Sequence, residues 1–244
     1  MGVAGWEGLQ RLTGVMRPGG LELTERALRA SRLSAGSRVL DVGCGAGASL
    51  ALLAQWNLVG VGVDVMPLVG QPGAAGGAPR LVQAGGQRLP LRERSFDAVL
   101  AECSLSLMPV RGALAEFARV LRPGGRLLLS DLYLRRPEQA PALRALALDG
   151  CLAGARGRDE WISLLGDAGF AVLEWEDHSA ALRQTVGQWM MAGGAPEQLW
   201  CGGASCCSLD AVEQVRAAVA AARPGYYLLV AAYRGASAVH GEDQ

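Results

Sequence analysis

The sequence predicts an α/β fold with a doubly wound, mostly parallel sheet. Short apolar runs alternate with helical patterns, and the first apolar run passes directly into a glycine-rich turn and a helix. This turn lies within residues 38–49, which read Arg-Val-Leu-Asp-Val-Gly-Cys-Gly-Ala-Gly-Ala-Ser. Glycines let the backbone approach a ligand closely, and the free N–H groups of a helix start point at it. The stretch therefore predicts a site for a nucleotide-type cofactor.

Each further element follows from its local pattern. Thr24 is expected to cap a helix that runs to about Ser31, because threonine is a common N-cap residue. Residues 66–79 are rich in proline and glycine, so no long helix is expected there. Further helices are predicted at about 50–56, 113–121 and 159–168, and across 180–222 with breaks at Gly193-Gly194 and at a cysteine cluster. The predicted strands, seven in all, lie at about 39–42, 58–64, 81–83, 96–101, 126–130, 170–175 and 226–233.

The composition argues against several classes of function. The chain carries 23 basic and 23 acidic residues among 244, so no basic surface for DNA or RNA is expected. Every basic residue is arginine, which excludes Schiff-base chemistry and any lysine-dependent phosphate site. The sequence shows neither a secretory signal nor a run of about 20 apolar residues. We therefore expect a cytoplasmic protein without membrane contact, whose six cysteines are reduced thiols.

The glycine turn alone leaves the cofactor open. Gly43, Gly45 and Ala48 fit the dinucleotide-binding pattern, and Asp64 lies near the distance expected for a carboxylate that binds ribose. A nicotinamide-dependent oxidoreductase with a Rossmann-type sheet is therefore one alternative. It lacks an evident catalytic acid, and a Tyr-x-x-x-Lys pair is impossible in a chain without lysine.

Three further features accompany the glycine turn. Asp41 lies two residues before the first glycine, residues 95–100 (Ser-Phe-Asp-Ala-Val-Leu) enter a strand through an acidic residue, and residues 121–127 (Leu-Arg-Pro-Gly-Gly-Arg-Leu) lead from a helix end into a strand. Together and in this order, the four motifs resemble class I S-adenosylmethionine-dependent methyltransferases over about residues 20–235. The resemblance implies a seven-stranded Rossmann-like sheet with a final antiparallel strand.

The resemblance also implies S-adenosyl-L-methionine as the cofactor and assigns roles in its site. Asp41 would favour the ammonium group of the cofactor, and Asp64 would accept hydrogen bonds from both ribose hydroxyls. In this family an acidic residue often follows strand three, but Gly85 stands there, so the N–H of Gly86 and the side chain of Gln87 would serve the adenine instead. The expected cofactor-binding residues are Asp41, Gly43, Cys44, Gly45, Gly47, Asp64, Val65, Met66, Gly86, Gln87 and Glu102.

The methyl acceptor is a separate question, and two cysteines bear on it. Cys103 follows strand four, and Cys151 begins the run Cys-Leu-Ala-Gly-Ala. These places are similar to those at which arsenite methyltransferases hold trivalent arsenic with thiolates, and soft thiolates suit a soft metalloid. The resemblance implies direct in-line methyl transfer to a small acceptor. This acceptor is either thiophilic and arsenite-like, with Cys103 and Cys151 in catalysis, or an undefined small molecule. The alternative for both cysteines is that they are small core residues.

The predicted organisation has five parts. They are an N-terminal helical entry at 1–35, an S-adenosylmethionine-binding core at 36–178, a helical insertion at 179–223, the last core strand at 224–235 and a disordered tail at 236–244. The insertion carries Cys201, Cys206 and Cys207, whose spacing does not match a zinc ribbon, and no metal site is predicted. His178 is expected in a solvated turn, so no general base is identified. A second alternative is therefore a non-catalytic cofactor-binding module that binds a protein partner through residues 180–222.

Overall fold

The computed structural model describes residues 17–66, 80–146, 148, 150–200 and 209–235. The helices are α1 Gly20–Ser31, α2 Ala48–Gln55, α3 Val110–Val120, α4 Ala140–Arg144, α5 Arg158–Asp167, α6 Ser179–Met191 and α7 Leu209–Ala222. The strands are β1 Arg38–Val42, β2 Val59–Asp64, β3 Arg80–Gln83, β4 Phe96–Glu102, β5 Leu121–Leu134, β6 Arg156–Gly157, β7 Phe170–Asp177 and β8 Pro224–Tyr233. Short 3₁₀ helices lie at Leu105–Leu107, Pro137–Gln139 and Pro196–Leu199.

The strands form one sheet in the order β3-β2-β1-β4-β5-β8-β7, and β6 pairs with β5 beside this path. Strands β1 to β5 are parallel to one another. Strand β8 is antiparallel to both β5 and β7. The predicted doubly wound, mostly parallel seven-stranded sheet with a final antiparallel strand is therefore confirmed. The two-residue strand β6 is an addition that the sequence pattern did not predict.

Helices cover both faces of the sheet because neighbouring strand residues point to opposite sides. On one face α1, α2, α6 and α7 contribute to a buried cluster that includes Leu28, Leu53 and Val215. On the other face α3 and α5 contribute Phe117 and Trp161 to a second cluster. This arrangement leaves the carboxyl ends of the parallel strands at one edge, where open α/β sheets bind their ligands.

The predicted N-cap of the first helix is wrong. Helix α1 begins at Gly20 with Gly19 as its N-cap, so Thr24 lies inside the helix, where its side chain is fully buried. Gly19 has a φ of 74° and Gly20 a φ of 52°, a left-handed backbone that glycine adopts without strain. The Arg-Pro-Gly-Gly stretch therefore starts the helix earlier than expected.

Other boundaries differ in smaller ways. Strand β5 is longer than the predicted 126–130, and helix α4 was not predicted. The helical region at 180–222 contains α6 and α7, separated by a 3₁₀ helix and by residues outside the described part. The predictions for residues 67–79, for the tail at 236–244 and for Cys201, Cys206 and Cys207 also lie outside it. None of the helices within the described ranges is long and apolar enough to cross a membrane.

Candidate active site

The glycine turn joins β1 to α2 in close contact with the loop that follows β4. Gly43 has a φ of 83°, and a Cβ placed on it would lie 2.4 Å from the Cβ of Ser104. The N–H of Gly43 donates to the carbonyl oxygen of Val63 at 2.7 Å. A Cβ on Gly45, in contrast, would meet no atom within 4 Å. The turn is therefore packed against the protein at Gly43 and open at Gly45, as a backbone cradle for a ligand requires.

Asp64 ends strand β2 and holds the glycine turn in place. Its Oδ2 accepts the N–H of Gly45 at 2.8 Å, and its Oδ1 accepts the N–H of Met66 at 2.9 Å. Each oxygen keeps a further lone pair for a ligand hydroxyl. Val65 and Met66 follow with exposed fractions of 64% and 66%, which provides an apolar surface at this edge of the sheet.

Asp41 lies near the end of β1 and is only 3% exposed. Its Oδ2 is buried and has no hydrogen-bond partner among the described residues. Burial, and after it the charge of Glu102, raise the pKa of this carboxyl to about 8 against the opposing effect of Arg17. A buried carboxylate without a partner is costly, and a ligand cation would relieve that cost. The ammonium group of S-adenosylmethionine fits this requirement.

Glu102 ends strand β4, and its side chain is 5% exposed. Its carboxylate pairs with Arg17 at 3.0 Å and accepts hydrogen bonds from Thr24 and Ser49, each at 2.9 Å. Sequence reasoning missed these three partners because they lie far from Glu102 along the chain: 78 positions for Thr24 and 53 for Ser49. Both carboxylate oxygens of Glu102 therefore already have protein partners.

The loop after β3 contains the residues expected beside the adenine. A Cβ on Gly86 would lie 2.5 Å from the sulfur of Met108, so this position accepts only glycine without rearrangement. A Cβ on Gly85 would lie 2.8 Å from the side-chain oxygen of Gln87. The Gln87 side chain therefore lies beside the position where the family often carries an acid.

Cys103 occupies the first position after β4 with a φ of 50°, in the left-handed region that non-glycine residues rarely adopt. Its N–H donates to the carbonyl oxygen of Ser130 at 2.7 Å, and its sulfur lies 3.2 Å from the hydroxyl oxygen of Tyr226. The hydroxyl of Tyr226 also donates to the Oγ of Ser130 at 3.1 Å. The thiol is therefore held on a fixed backbone at the carboxyl edge of the sheet.

The structure brings Cys151 to Cys103, although 48 positions separate them in the chain. The Cys151 thiol donates to the carbonyl oxygen of Cys103 at 3.1 Å. Gly154 fixes this turn, because a Cβ there would lie 1.9 Å from the carbonyl oxygen of Ser106. The hydrogen bond with Cys103, burial and the charge of Asp131 all raise the pKa of the Cys151 thiol.

Asp131 completes this cluster and was not among the predicted site residues. The two sulfur atoms and a carboxylate oxygen of Asp131 all lie within 4.8 Å of one another. The carboxylate accepts hydrogen bonds from Ser106, from the N–H at 3.0 Å and from the hydroxyl at 2.9 Å. Burial raises the pKa of Asp131 to about 6 against the lowering effect of these bonds. The local signal for Asp131 is its position directly after the strand predicted at 126–130. Its contact with Ser106 comes from a distant part of the chain.

The loop that carries Cys103 and the glycine turn are in direct contact. Ser104 follows Cys103, and its hydroxyl donates to the carbonyl oxygen of Val42 at 2.6 Å, next to Gly43. Cys44, in contrast, is buried within the turn, where burial and two nearby carboxylates raise its pKa to about 12. The side chain of His178 pairs with Glu176 at 2.7 Å.

Comparisons with known proteins agree with this geometry. Residues 40–129 match the methyltransferase domain family. The uncharacterized methyltransferase YodH of Bacillus subtilis is 31% identical over 166 residues, which cover 64% of this chain and 70% of that protein. An arsenite methyltransferase of Halobacterium salinarum is 33% identical over 157 residues, 58% of this chain and 39% of that enzyme.

The fold also matches solved structures. Phosphoethanolamine N-methyltransferase 2 of Haemonchus contortus, solved in complex with S-adenosyl-L-methionine, superposes with a TM-score of 0.66 at 14% identity, covering 96% of this chain and 57% of that one. With the family match and the open glycine turn beside Asp41 and Asp64, these findings identify an enzyme that uses S-adenosylmethionine. The chain belongs to the class I S-adenosylmethionine-dependent methyltransferases.

Proposed function

We propose that this enzyme methylates a small, thiophilic acceptor such as arsenite, held by Cys103 and Cys151 as thiolates. The observation that carries the proposal is the cluster of two free thiols and the Asp131 carboxylate, with ligand atoms within 4.8 Å of one another. Thiolates select soft metals and metalloids over hard ones. Two sulfur atoms at this separation suit an atom that bridges them.

The chemistry of capture balances without any further reactant. Each thiol gives up its proton, two hydroxyl groups of arsenous acid leave as two water molecules, and two sulfur–arsenic bonds form. The bound arsenic keeps a lone pair, so its attack on a methyl group needs no general base. The cofactor supplies that methyl group on a positively charged sulfur.

The contact between the two sites supports direct in-line transfer. Much of the rate of a two-substrate reaction comes from holding the reactants close and aligned. The hydrogen bond from Ser104 to Val42 fixes the loop of Cys103 against the start of the glycine turn. The left-handed backbone at Cys103 directs the chain from the strand end toward Ser104. We propose that the cofactor-binding residues are those expected from the sequence.

Packing around the thiols supports a role for the proposed insertion at 179–223. Leu182, Leu199 and Val215 from this segment belong to the apolar cluster against which Cys103 and Cys151 pack. We propose that the insertion forms the wall of the acceptor site and limits it to small molecules. A protein partner bound through residues 180–222 stays an alternative role for its outer surface.

A hydroxyl acceptor is the second candidate, because Asp131 is a suitable base. Hydroxyl groups need proton removal during methylation, whereas trivalent arsenic does not. Asp131 is 1% exposed, and burial raises its pKa to about 6, close to the pH at which an enzyme operates. Its nearness to both thiols places it at the same edge as the proposed acceptor.

Mass spectrometry of methylated products distinguishes the candidates. The wild-type enzyme is incubated with S-adenosylmethionine and with arsenite, thiols or small hydroxyl compounds in separate reactions. Methylated arsenic is the expected product. Cys103→Ser and Cys151→Ser should each lose arsenite methylation while calorimetry shows unchanged binding of S-adenosylhomocysteine. Unchanged arsenite methylation in both variants would contradict the thiolate proposal. Product formed only from hydroxyl compounds, and lost in Asp131→Asn, would establish the second candidate.

A further inference from the structure

Two side chains of opposite charge beside the glycine turn carry buried atoms without partners. These atoms are the Nε of Arg17 and the Oδ2 of Asp41, neither of which forms a hydrogen bond within the described ranges. Leaving a buried charged group incompletely bonded is costly, so such atoms indicate a ligand that completes them. A third such atom, the Nε of Arg38, belongs to the first residue of β1, at the opposite end of that strand from the turn.

Within the described ranges, Thr24, Ser49 and Glu102 all contact one corner of the Arg17 guanidinium. Its Nη2 contacts Thr24 at 2.7 Å, Ser49 at 3.0 Å and Glu102 at 3.0 Å. The side chain is 13% exposed and therefore has little freedom to move. These contacts fix the plane of the guanidinium, and the Nε–H has no acceptor in the described part of the chain. The group is therefore oriented to donate a hydrogen bond to a carboxylate.

Electrostatics place Arg17 and Asp41 in one region. Burial is the largest influence on the pKa of Arg17 and lowers it, but the charges of Glu102 and Asp41 raise it above its ordinary value. Conversely, Arg17 lowers the pKa of Asp41 against the larger effect of burial. The two groups therefore interact at the same edge of the sheet.

We propose that Arg17 binds the carboxylate of the methionine end of the cofactor while Asp41 binds its ammonium group. An amino acid carries these two charges on one carbon atom, so a guanidinium and a carboxylate at one edge are its chemical complement. Arg17 thereby becomes a binding residue in addition to those expected from the sequence. This proposal depends on the cofactor and is independent of the methyl acceptor.

Calorimetry with three ligands tests the role of Arg17. S-adenosylmethionine carries both charged groups, decarboxylated S-adenosylmethionine keeps only the ammonium, and 5′-methylthioadenosine lacks both. Arg17→Gln should weaken the binding of S-adenosylmethionine by about tenfold to a hundredfold, because a hydrogen bond to a charged group is lost. The same substitution should change the affinities for the other two ligands by less than about twofold. Asp41→Asn should weaken the binding of both ligands that carry the ammonium group and leave the binding of 5′-methylthioadenosine unchanged.

Two controls separate recognition from a structural effect. Arg26→Gln removes an exposed arginine that pairs with Glu176, and it should leave all three affinities unchanged. Arg17→Gln also leaves Glu102 without its cation. Since Glu102 is itself a proposed cofactor-binding residue, the double variant with Glu102→Gln should bind S-adenosylmethionine at least as weakly as Arg17→Gln alone. Recovery of wild-type affinity in that double variant would overturn the proposal. If Arg17→Gln weakened the binding of all three ligands equally, the proposal would also be overturned.

The wild-type protein gives a test that needs no variant to fold. If Arg17 binds the cofactor carboxylate, decarboxylated S-adenosylmethionine should bind the wild-type chain about tenfold more weakly or worse than S-adenosylmethionine. Equal affinities of these two ligands would overturn the proposal whatever the variants show.

Discussion

At the scale of single residues, Gly43 combines a left-handed backbone with a close contact to Ser104. Gly43→Ala should lower the free energy of unfolding by about 2–5 kcal/mol, from left-handed strain and overpacking together. Gly36→Ala is the matched control, since Gly36 has a φ of 80° but a Cβ placed on it would meet no atom within 4 Å. Urea unfolding of both variants measures the difference. Equal losses would mean that the contact with Ser104 is unimportant.

Asp41 makes stability depend on pH. Its pKa is about 8 in the folded chain against an ordinary value of 3.8, so between these values the folded state holds a proton that the unfolded state releases. The free energy of unfolding should therefore decrease as the pH rises from about 4 to about 8 in the absence of cofactor. Asp41→Asn should reduce this decrease by a few kcal/mol, on the order of magnitude that such a shift implies.

Urea unfolding at pH 5 and pH 8, without cofactor, measures that effect. Asp159→Asn, at an exposed position in α5, is the control and should follow the wild-type pH dependence. Asp131 is present in every chain compared, so its own titration affects them alike. Parallel pH dependence in wild type and Asp41→Asn would contradict the prediction.

The glycine turn could be located from the sequence because its residues are consecutive. Asp41, Gly43 and Asp64 belong to local motifs whose spacing is set by a strand, a turn and a helix. Arg17 and Asp131 were not identified, because their roles depend on contacts between distant parts of the chain. Their burial and partners follow from how the sheet is assembled, which no local pattern contains.

At the scale of elements, Thr24 connects helix α1 to the end of β4. Thr24→Val removes the hydroxyl that donates to Glu102 and should lower the free energy of unfolding by about 1–3 kcal/mol. Thr24→Ser keeps the hydroxyl and loses one methyl group, so its cost should be about 1 kcal/mol or less. Urea unfolding compares the two. A serine variant as destabilised as the valine variant would assign the effect to packing.

The main strands and helices could be predicted, because apolar runs and helical spacing are properties of short windows. The two-residue strand β6 and the five-residue helix α4 are too short to produce such a pattern. The first helix was given the wrong start because the preference of threonine for N-caps was followed, whereas two glycines with positive φ began the helix before it. Local backbone geometry outweighed side-chain preference there.

At the scale of the whole molecule, β8 joins the edge strand β7 to the rest of the sheet. It pairs over nine residues with β5 and over seven with β7. A chain ending at Arg223 should therefore lose its cooperative unfolding transition, because both neighbouring strands lose their partner. A chain ending at Gly235 keeps β8 and should unfold like the full-length protein. Circular dichroism during thermal unfolding measures both, and a cooperative transition in the shorter chain would contradict the prediction.

The position of β8 also imposes an order on biosynthesis. Tyr226, which contacts the Cys103 thiol, belongs to the last strand, whereas the glycine turn and Asp64 belong to the first part of the chain. On the ribosome, the glycine turn emerges long before Tyr226. β7 pairs with the sheet through β8, so it cannot take its final place until β8 has paired with β5. The surroundings of the Cys103 thiol are therefore completed only after residues 224–233 have been synthesised.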